Sequence, residues 1–139
     1  MIPELLDNGR RLCYQQGMRP LQHPPLEDIS VEGILHALSD PARAYIYDAI
    51  AAASHPQTCS AFLEISDRAL AKSTLSQHFK VLRDAGLIRS ERRGVELHNT
   101  ARCEEINQRF PGLLLSIRAA YRAQCELDGQ RRRRRAKSA

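Results

Sequence analysis

Residues 70–99 read LAKSTLSQHFKVLRDAGLIRSERRGVELHN, and this segment is the most informative part of the chain. Ser73 is a residue type that is favoured at the N-cap of a helix, and Gly86 suits the left-handed position that ends one. The pattern therefore predicts a short amphipathic helix between these two residues. Its buried stripe consists of apolar side chains at helical spacing: Leu75, Phe79, Leu82 and Ala85.

The remaining side chains of this helix are small, polar or basic, and we expect them to point away from the stripe. They are Ser73, Thr74, Ser76, Gln77, Lys80 and Arg83. A helix lies in a DNA major groove only if its outward face carries groups of this kind. The composition of the face therefore favours contact with DNA.

A two-stranded hairpin with a basic tip is predicted directly after the helix. Residues 87–92 and 95–99 have the composition of strands, and Arg93-Gly94 is predicted to be the turn because Gly94 tolerates positive φ. Such a hairpin supplies a second contact to the phosphates beside the groove. Helix and hairpin together indicate one nucleic-acid-binding unit.

The charge distribution supports this assignment more than the total charge does. The formal net charge is +5, but the tail at residues 131–137 alone carries six positive charges, so the rest of the chain is nearly neutral. Between residues 68 and 93, seven basic side chains stand against two acidic ones. Positive charge is thus concentrated in the helix and hairpin, as a phosphate-binding footprint requires.

The chain divides into three predicted segments. Residues 1–28 form an N-terminal helix and a proline-containing arm, residues 29–125 form the folded domain, and residues 126–139 form a disordered basic tail. In the domain, a helix at 29–38 carries Ile34, Leu35 and Leu38 inward. The next helix is capped by Asp40, has Pro41 in its first turn, and buries one face. That face consists of Ala42, Tyr45, Ile46, Ala49 and Ile50.

A long apolar repeat follows the hairpin. It runs from Ile106 to Tyr121 and is divided by Pro111. The order of elements predicts a mainly α fold with a small β-hairpin wing, which is the winged helix-turn-helix layout. The repeat fits either ordinary core or a helix pair between two subunits, and we favour the pair because a small domain gains buried area by dimerising.

Two blocks of the sequence resemble the ArsR/SmtB-type bacterial repressors. They are ILHALSDPAR at residues 34–43 and STLSQHFKVLRDAGLI at residues 73–88, and the resemblance extends from about Val31 to Tyr121. It implies a homodimer formed through the N- and C-terminal helices. It also implies a repressor that binds double-stranded operator DNA and is released by a small inducer or by thiol modification.

The resemblance also assigns the DNA contacts. Side chains of the recognition helix face base edges or phosphates, and Gln77 suits bidentate pairing with adenine. Arginines of the wing contact phosphate or the minor groove. The residues are Lys72, Ser73, Thr74, Ser76, Gln77, His78, Lys80, Arg92 and Arg93. The alternative is that these are solvated polar side chains only, and that His78 packs or bonds locally.

The cysteines leave the inducer open. No C-x-x-C pair is present. Many members of the family that this sequence resembles bind zinc or nickel through histidines and carboxylates of the last helix, and that site is absent here because residues 99–124 contain no histidine. Other members of the resembled family use a Cys-x-Cys pair, and here Cys59 lies in TCSA, with Ala61 at the position of the second cysteine. Cys59 is therefore a sensing thiol with Cys13 or Cys103 as partner, a ligand of a soft metal or metalloid, or a small buried apolar residue. We expect that no cofactor is required, and the sequence does not identify a metal.

Other classes of protein are disfavoured by composition. No apolar run reaches the length of a membrane span and no signal pattern begins the chain, so we expect a cytoplasmic protein without a membrane partner. No glycine-rich cofactor loop or catalytic grouping is recognisable, so we expect no enzyme. The function predicted is sequence-specific transcriptional regulation. The alternative is a winged-helix module for protein or RNA contact without operator recognition.

Overall fold

The computed structural model describes residues 21–65, 68–69 and 71–139. The predicted N-terminal helix and Cys13 lie outside these residues. The described helices are α1 (Val31–Leu38), α2 (Pro41–Ala52), α3 (Lys72–Asp84), α4 (Cys103–Arg109) and α5 (Leu113–Ser138). The strands are β1 (Gln57–Thr58), β2 (Glu64–Ile65), β3 (Arg68–Ala69), β4 (Ile88–Arg93) and β5 (Glu96–Ala101).

Helices α1 and α2 begin at side-chain caps. The Ser30 hydroxyl accepts a hydrogen bond from the Gly33 amide at 3.0 Å. The Asp40 carboxylate accepts from the amides of Ala42 and Arg43 at 2.8 and 3.1 Å, and Pro41 occupies the first turn. These bonds satisfy amides that have no partner within the helix, so the predicted Asp40–Pro41 start is confirmed.

Helix α3 buries the predicted stripe but does not begin as predicted. Leu75, Phe79 and Leu82 are fully buried in the core. The N-cap is Ala71, which makes no side-chain cap bond, so the assignment of the cap to Ser73 is wrong. Because the helix already starts at Lys72, Ser73 lies inside the first turn and its side chain is exposed.

Gly86 ends α3 in the left-handed conformation, as the sequence predicts. Its φ is +82°, and the amides of Gly86 and Leu87 donate back to the last turn at 3.0 Å each. A Cβ atom at Gly86 would lie 2.5 Å from Ile29 Cδ1. The position therefore requires glycine both for its backbone angle and for the close approach of Ile29.

The wing is antiparallel, with strand order β1-β5-β4. Arg93 pairs with Glu96, so the turn residues are Gly94 and Val95 rather than the predicted Arg93-Gly94. Gly94 has the positive φ, +64°, that was expected of it. The shift by one residue places Arg93 at the end of β4. A second small pairing, β2 with β3, was not predicted.

The C-terminal region is helical on both sides of Pro111. Helix α4 ends at Arg109 and α5 begins at Leu113, so the predicted division of the apolar repeat is confirmed. Helix α5 continues to Ser138, whereas a disordered tail was predicted from residue 126. The difference has a local cause, because arginine, glutamine, alanine and lysine all have high helix propensity.

The core lies between α1, α2, α3, the base of the wing and the start of α5. Its largest fully buried side chain is Tyr47, which the sequence did not indicate. Leu35 and Tyr45 were expected inward but are exposed. Because Ala44, Tyr47 and Ile50 form the inward row of α2, Tyr45 is turned outward. Within the described part of the chain, no helix combines the length and apolar character needed to cross a bilayer.

Substitution of Gly86 by alanine should destabilise the protein by about 2–4 kcal/mol, because strained φ and displacement of Ile29 add together. Gly94→Ala is the matched control, since Gly94 also has positive φ but a Cβ there meets nothing within 4 Å. Its cost should be about 1 kcal/mol. Urea unfolding measures both, and equal losses would contradict the close packing of Gly86.

Candidate nucleic-acid interface

The outward face of α3 presents the predicted polar side chains to solvent. The exposed members are Lys72, Ser73, Thr74, Ser76, Gln77 and Lys80. Ser73, Gln77 and Lys80 lie on the side of α3 opposite the buried Leu75–Phe79–Leu82 stripe. Thr74 and Ser76 flank the stripe, and Lys72 is exposed at the first turn of the helix. The structure therefore brings together the helical part of the predicted site.

Lys80 makes an ion pair within the same face. Its Nζ lies 2.6 Å from Asp84 Oδ2, one helical turn away, and both side chains are more than half exposed. An exposed pair of this kind contributes little to stability. A phosphate can therefore replace Asp84 as the partner of Lys80 at small cost.

His78 lies at the margin of the face. It is half-buried, and in the described part of the chain its Nδ1 atom is enclosed without a hydrogen-bond partner. A side chain in this position contacts the protein more than the solvent. The local-packing interpretation of His78 is therefore favoured over direct contact with a base.

The wing tip carries the second part of the predicted site. Arg92 and Arg93 are exposed at the end of β4, and the Arg93 guanidinium lies 3.5 Å from the Glu91 carboxylate. Val95 at the turn is 97% exposed, and the sequence did not single it out. Arg89 points elsewhere, since it pairs with Glu105 at 3.1 Å. Positive charge at the tip is thus supplied by Arg92 and Arg93.

Arg83 does not belong to the outward face, so that prediction is wrong. The residue is only 9% exposed, and its Nε donates to the Ser90 hydroxyl at 2.9 Å. Burial lowers the pKa of the guanidinium. The signal for an inward position was present, because Arg83 follows Phe79 by four residues and so continues the buried stripe.

Ser90 and Asn99 complete a buried group that the sequence did not indicate as such. The Ser90 hydroxyl donates to Asn99 Oδ1 at 2.6 Å, and Asn99 Nδ2 donates to the Gln57 carbonyl at 3.0 Å. Ser90 is 4% exposed and Asn99 is fully buried. Strand alternation could have placed Ser90 inward beside Ile88, but its partners come from distant parts of the chain.

The thiols lie in two different surroundings. Cys59 Sγ lies 4.0 Å from Asn99 Nδ2, and burial raises the pKa of this thiol, while the hydrogen bond from Asn99 and the charge of Arg83 act in the opposite direction. Cys103 Sγ lies 3.1 Å from the Tyr47 hydroxyl, and burial together with this contact raises the pKa of Tyr47. Across residues 21–65, 68–69 and 71–139, no three metal-ligating side chains come together.

The segment before α1 is fastened to the wing and to α4. The Ser90 amide donates to His23 Nε2 at 2.9 Å, and Arg102 Nη1 donates to the Pro24 carbonyl at 2.8 Å. Burial lowers the pKa of His23, and the charges of Arg89, Arg83 and Arg102 lower it further. His23 is therefore held as a neutral imidazole that accepts a hydrogen bond from the edge strand of the wing.

Comparison with known proteins agrees with this geometry. Residues 38–91, which contain the second motif block and most of the first, match a family model described as a helix-turn-helix domain. A crystal structure of M. tuberculosis Rv0081 is 27% identical and covers 76% of this chain and 96% of that chain, with a TM-score of 0.50. The chain contains a helix-turn-helix domain, and the wing beside it gives the winged helix-turn-helix fold.

Two further findings complete the comparison. An ArsR-like transcriptional regulator from Rhodococcus sp. RHA1 is 21% identical and covers 77% of this chain and 86% of that chain, with a TM-score of 0.45. A search of curated proteins finds no match. The helix-turn-helix match supports a DNA-binding transcriptional regulator.

His23 should make the stability of this winged-helix protein depend on pH. Because the folded state lowers the pKa of His23 below 6.5, its contribution is complete above about pH 6.5 and is lost as the pH falls through the folded value. Gln can accept the same bond from Ser90 without titrating. The free energy of unfolding, measured with urea, should therefore fall more steeply between pH 7 and pH 5 for the wild type than for His23→Gln. Parallel curves for the two proteins would contradict the assignment.

Proposed function

We propose that this protein is a homodimeric transcriptional repressor that recognises an operator sequence and is released from it by modification of a thiol. The observation that carries the proposal is the exposed polar and basic face of α3. Two exposed arginines, Arg92 and Arg93, follow it at the tip of the wing. A face of this composition is suited to base edges and phosphates in a major groove. The more general conclusion, that the protein is a DNA-binding regulator, is also supported by the helix-turn-helix match.

The side chains of the face divide by chemistry into two roles. Gln77 offers one donor and one acceptor, as bidentate pairing with adenine requires, and serines at the start of α3 suit several bases. Lys80 at the end of the face and Arg92 and Arg93 at the wing tip carry charge, which suits phosphates. Sequence selectivity is therefore assigned to Gln77 and its neighbours, and general affinity to the basic residues.

The surface of α5 supports the dimeric part of the proposal. Leu115 and Leu127 are 66% and 58% exposed, although large apolar side chains gain free energy by burial. Pairing of α5 with its copy would cover apolar surface of this kind. A two-fold dimer would also place two α3 helices about one turn of DNA, ~34 Å, apart on a palindromic site.

The surroundings of Cys59 support modification of that thiol as the releasing event. An alkylating agent adds carbon to the sulfur in place of the thiol proton, and the enlarged side chain would then press on Asn99, which is fully buried. A metal or metalloid is less well supported, because the described residues provide no group of three ligands around Cys59. Since its pKa is raised, Cys59 should react slowly at neutral pH and faster at alkaline pH.

Substitution of Gln77 and Lys80 tests the proposed roles on DNA taken from upstream of the protein's own gene. Gln77→Ala should lose ~1–3 kcal/mol at one base pair of each half-site, whereas Lys80→Ala should weaken binding to all sequences and flatten the salt dependence. Fluorescence anisotropy across a salt series measures both. Gln108→Ala, at an exposed position on α4, is the matched control and should bind as the wild type does.

Two results would overturn operator recognition. One is equal affinity of the wild type for upstream and shuffled DNA at physiological salt. The other is an unchanged sequence preference in Gln77→Ala. Tight binding of single-stranded RNA with no duplex preference would instead support the alternative winged-helix module.

The thiol proposal predicts that N-ethylmaleimide releases the wild type from its DNA and leaves Cys59→Ser bound. Cys125→Ser is the matched control because Cys125 is exposed on α5, and it should respond as the wild type does. Release rates should rise with pH, in line with the raised pKa of Cys59. Equal release of Cys59→Ser and wild type would contradict the proposal, and release of the wild type by arsenite but not by the maleimide would favour a metalloid ligand instead.

A further inference from the structure

A chain of buried hydrogen bonds joins the recognition helix to both strands of the wing. Arg83 belongs to α3, Ser90 to β4 and Asn99 to β5, and their exposed fractions are 9%, 4% and 0%. The two links measure 2.9 Å from Arg83 Nε to the Ser90 hydroxyl and 2.6 Å from that hydroxyl to Asn99 Oδ1. No step along this chain leaves the protein interior.

The chain has a fixed direction. A guanidinium only donates hydrogen bonds, so the Ser90 hydroxyl must accept from Arg83 and use its proton for Asn99 Oδ1. That assignment leaves Asn99 Nδ2 as the donor to the Gln57 carbonyl in β1, 3.0 Å away. Rotation of the Asn99 amide by 180° would lose both bonds. One arrangement of the three side chains therefore satisfies all the partners.

Burial of these polar groups costs more free energy than burial of apolar side chains. The hydrogen bonds also tolerate smaller displacements of their partners than an apolar contact does. A buried polar group is destabilising when its partner moves away, whereas apolar side chains can slide past one another with small loss. The bonds therefore restrict the position of β4 and β5 relative to α3 more than packing alone would. Ser90 is held from its backbone as well, by the bond from its amide to His23.

The chain lies between the two surfaces that the proposed function requires. Ser90 precedes Arg92 and Arg93 by two and three residues, which is about 7 and 10 Å along a strand. Arg83 follows Lys80 by three residues, which is about 4.5 Å along a helix. A small change of angle at Ser90 would therefore displace the wing tip relative to the outward face of α3.

We propose that Arg83, Ser90 and Asn99 are positioning residues that set the angle of the wing, so that Arg92 and Arg93 meet phosphates while α3 occupies the groove. The assignment rests on the proposed DNA-binding function. The three residues contact no DNA themselves. They act through the wing arginines, and this distinguishes them from residues that only stabilise the fold.

The first test compares DNA binding in two backgrounds. Ser90→Ala breaks both links and should reduce the slope of log affinity against log salt by about 1–2, the contribution of one or two phosphates, while the preference for the upstream sequence persists. In a protein that already carries Arg92→Ala and Arg93→Ala, the same substitution should have no further effect. Ser90→Thr keeps a hydroxyl and should restore the slope. Thr100→Ala, which removes an exposed hydroxyl from β5, is the matched control.

The second test needs no DNA. Spin labels attached through unnatural amino acids at positions 77 and 95 report the distance between α3 and the wing tip, and they leave the native cysteines in place. The wild type and Thr100→Ala should give one narrow distance distribution, and Ser90→Ala a broad or shifted one. If Ser90→Ala does not fold, Ser90→Cys is used in its place, because it is similar in size but a much weaker hydrogen-bonding partner.

The outcomes separate the two proposals. An unchanged distance distribution, or an equal loss of affinity with and without Arg92 and Arg93, overturns the positioning role even if operator binding is confirmed. Absence of selective DNA binding by the wild type overturns the proposed function, and the distance measurement then still decides whether the chain sets the wing angle.

Discussion

Burial of one side of α3 is the constraint on which the rest of the structure depends. Leu75, Phe79 and Leu82 are withdrawn from water against α2, the Cys59–Phe62 turn and the base of the wing, and the rings of Phe62 and Phe79 lie 5.7 Å apart. Each such side chain contributes roughly 1.5–3 kcal/mol. Because the stripe fixes the rotation of the helix about its axis, it also determines which side chains face outward. Core packing therefore selects which side chains form the outward face of α3.

The interior beside this stripe is not purely apolar, and its polar part has a different role. Apolar contacts hold α3 against the domain, whereas the bonds from Arg83 through Ser90 to Asn99 connect it to the wing in one arrangement. Cys59 touches the same group at Asn99. Cys59 thus directly contacts the group that we propose sets the angle of the wing.

Much of the fold follows from local rules that the sequence displays. The Asp40–Pro41 start of α2, the left-handed Gly86 and the division at Pro111 each depend on neighbouring residues only, and all three were predicted. The wing turn was displaced by one residue, because its register depends on the pairing of Arg93 with Glu96 across two strands. The prediction of an N-cap at Ser73 is wrong because α3 already starts at Lys72.

The buried polar residues could not be assigned in the same way. Helical period places Arg83 beside the buried stripe, but its burial is favourable only because β4 folds back so that the Ser90 hydroxyl accepts its hydrogen bond. Asn99 belongs to β5 and meets Ser90 and Gln57 only after the sheet has formed. The outward face of α3 could be predicted because composition and helical period define it, whereas the hydrogen bonds among Arg83, Ser90 and Asn99 form only in the tertiary structure.

Photo-crosslinking can show whether the outward face of α3 lies in the major groove. A photoreactive amino acid placed at position 77 should form adducts with bases at two symmetric positions in the DNA upstream of the protein's own gene, since the proposed function puts the outward face of α3 in successive major grooves. The same group at the exposed position 108 on α4 should give none at those positions. Adducts of equal yield from both positions, or bases modified evenly along the duplex, would contradict the account.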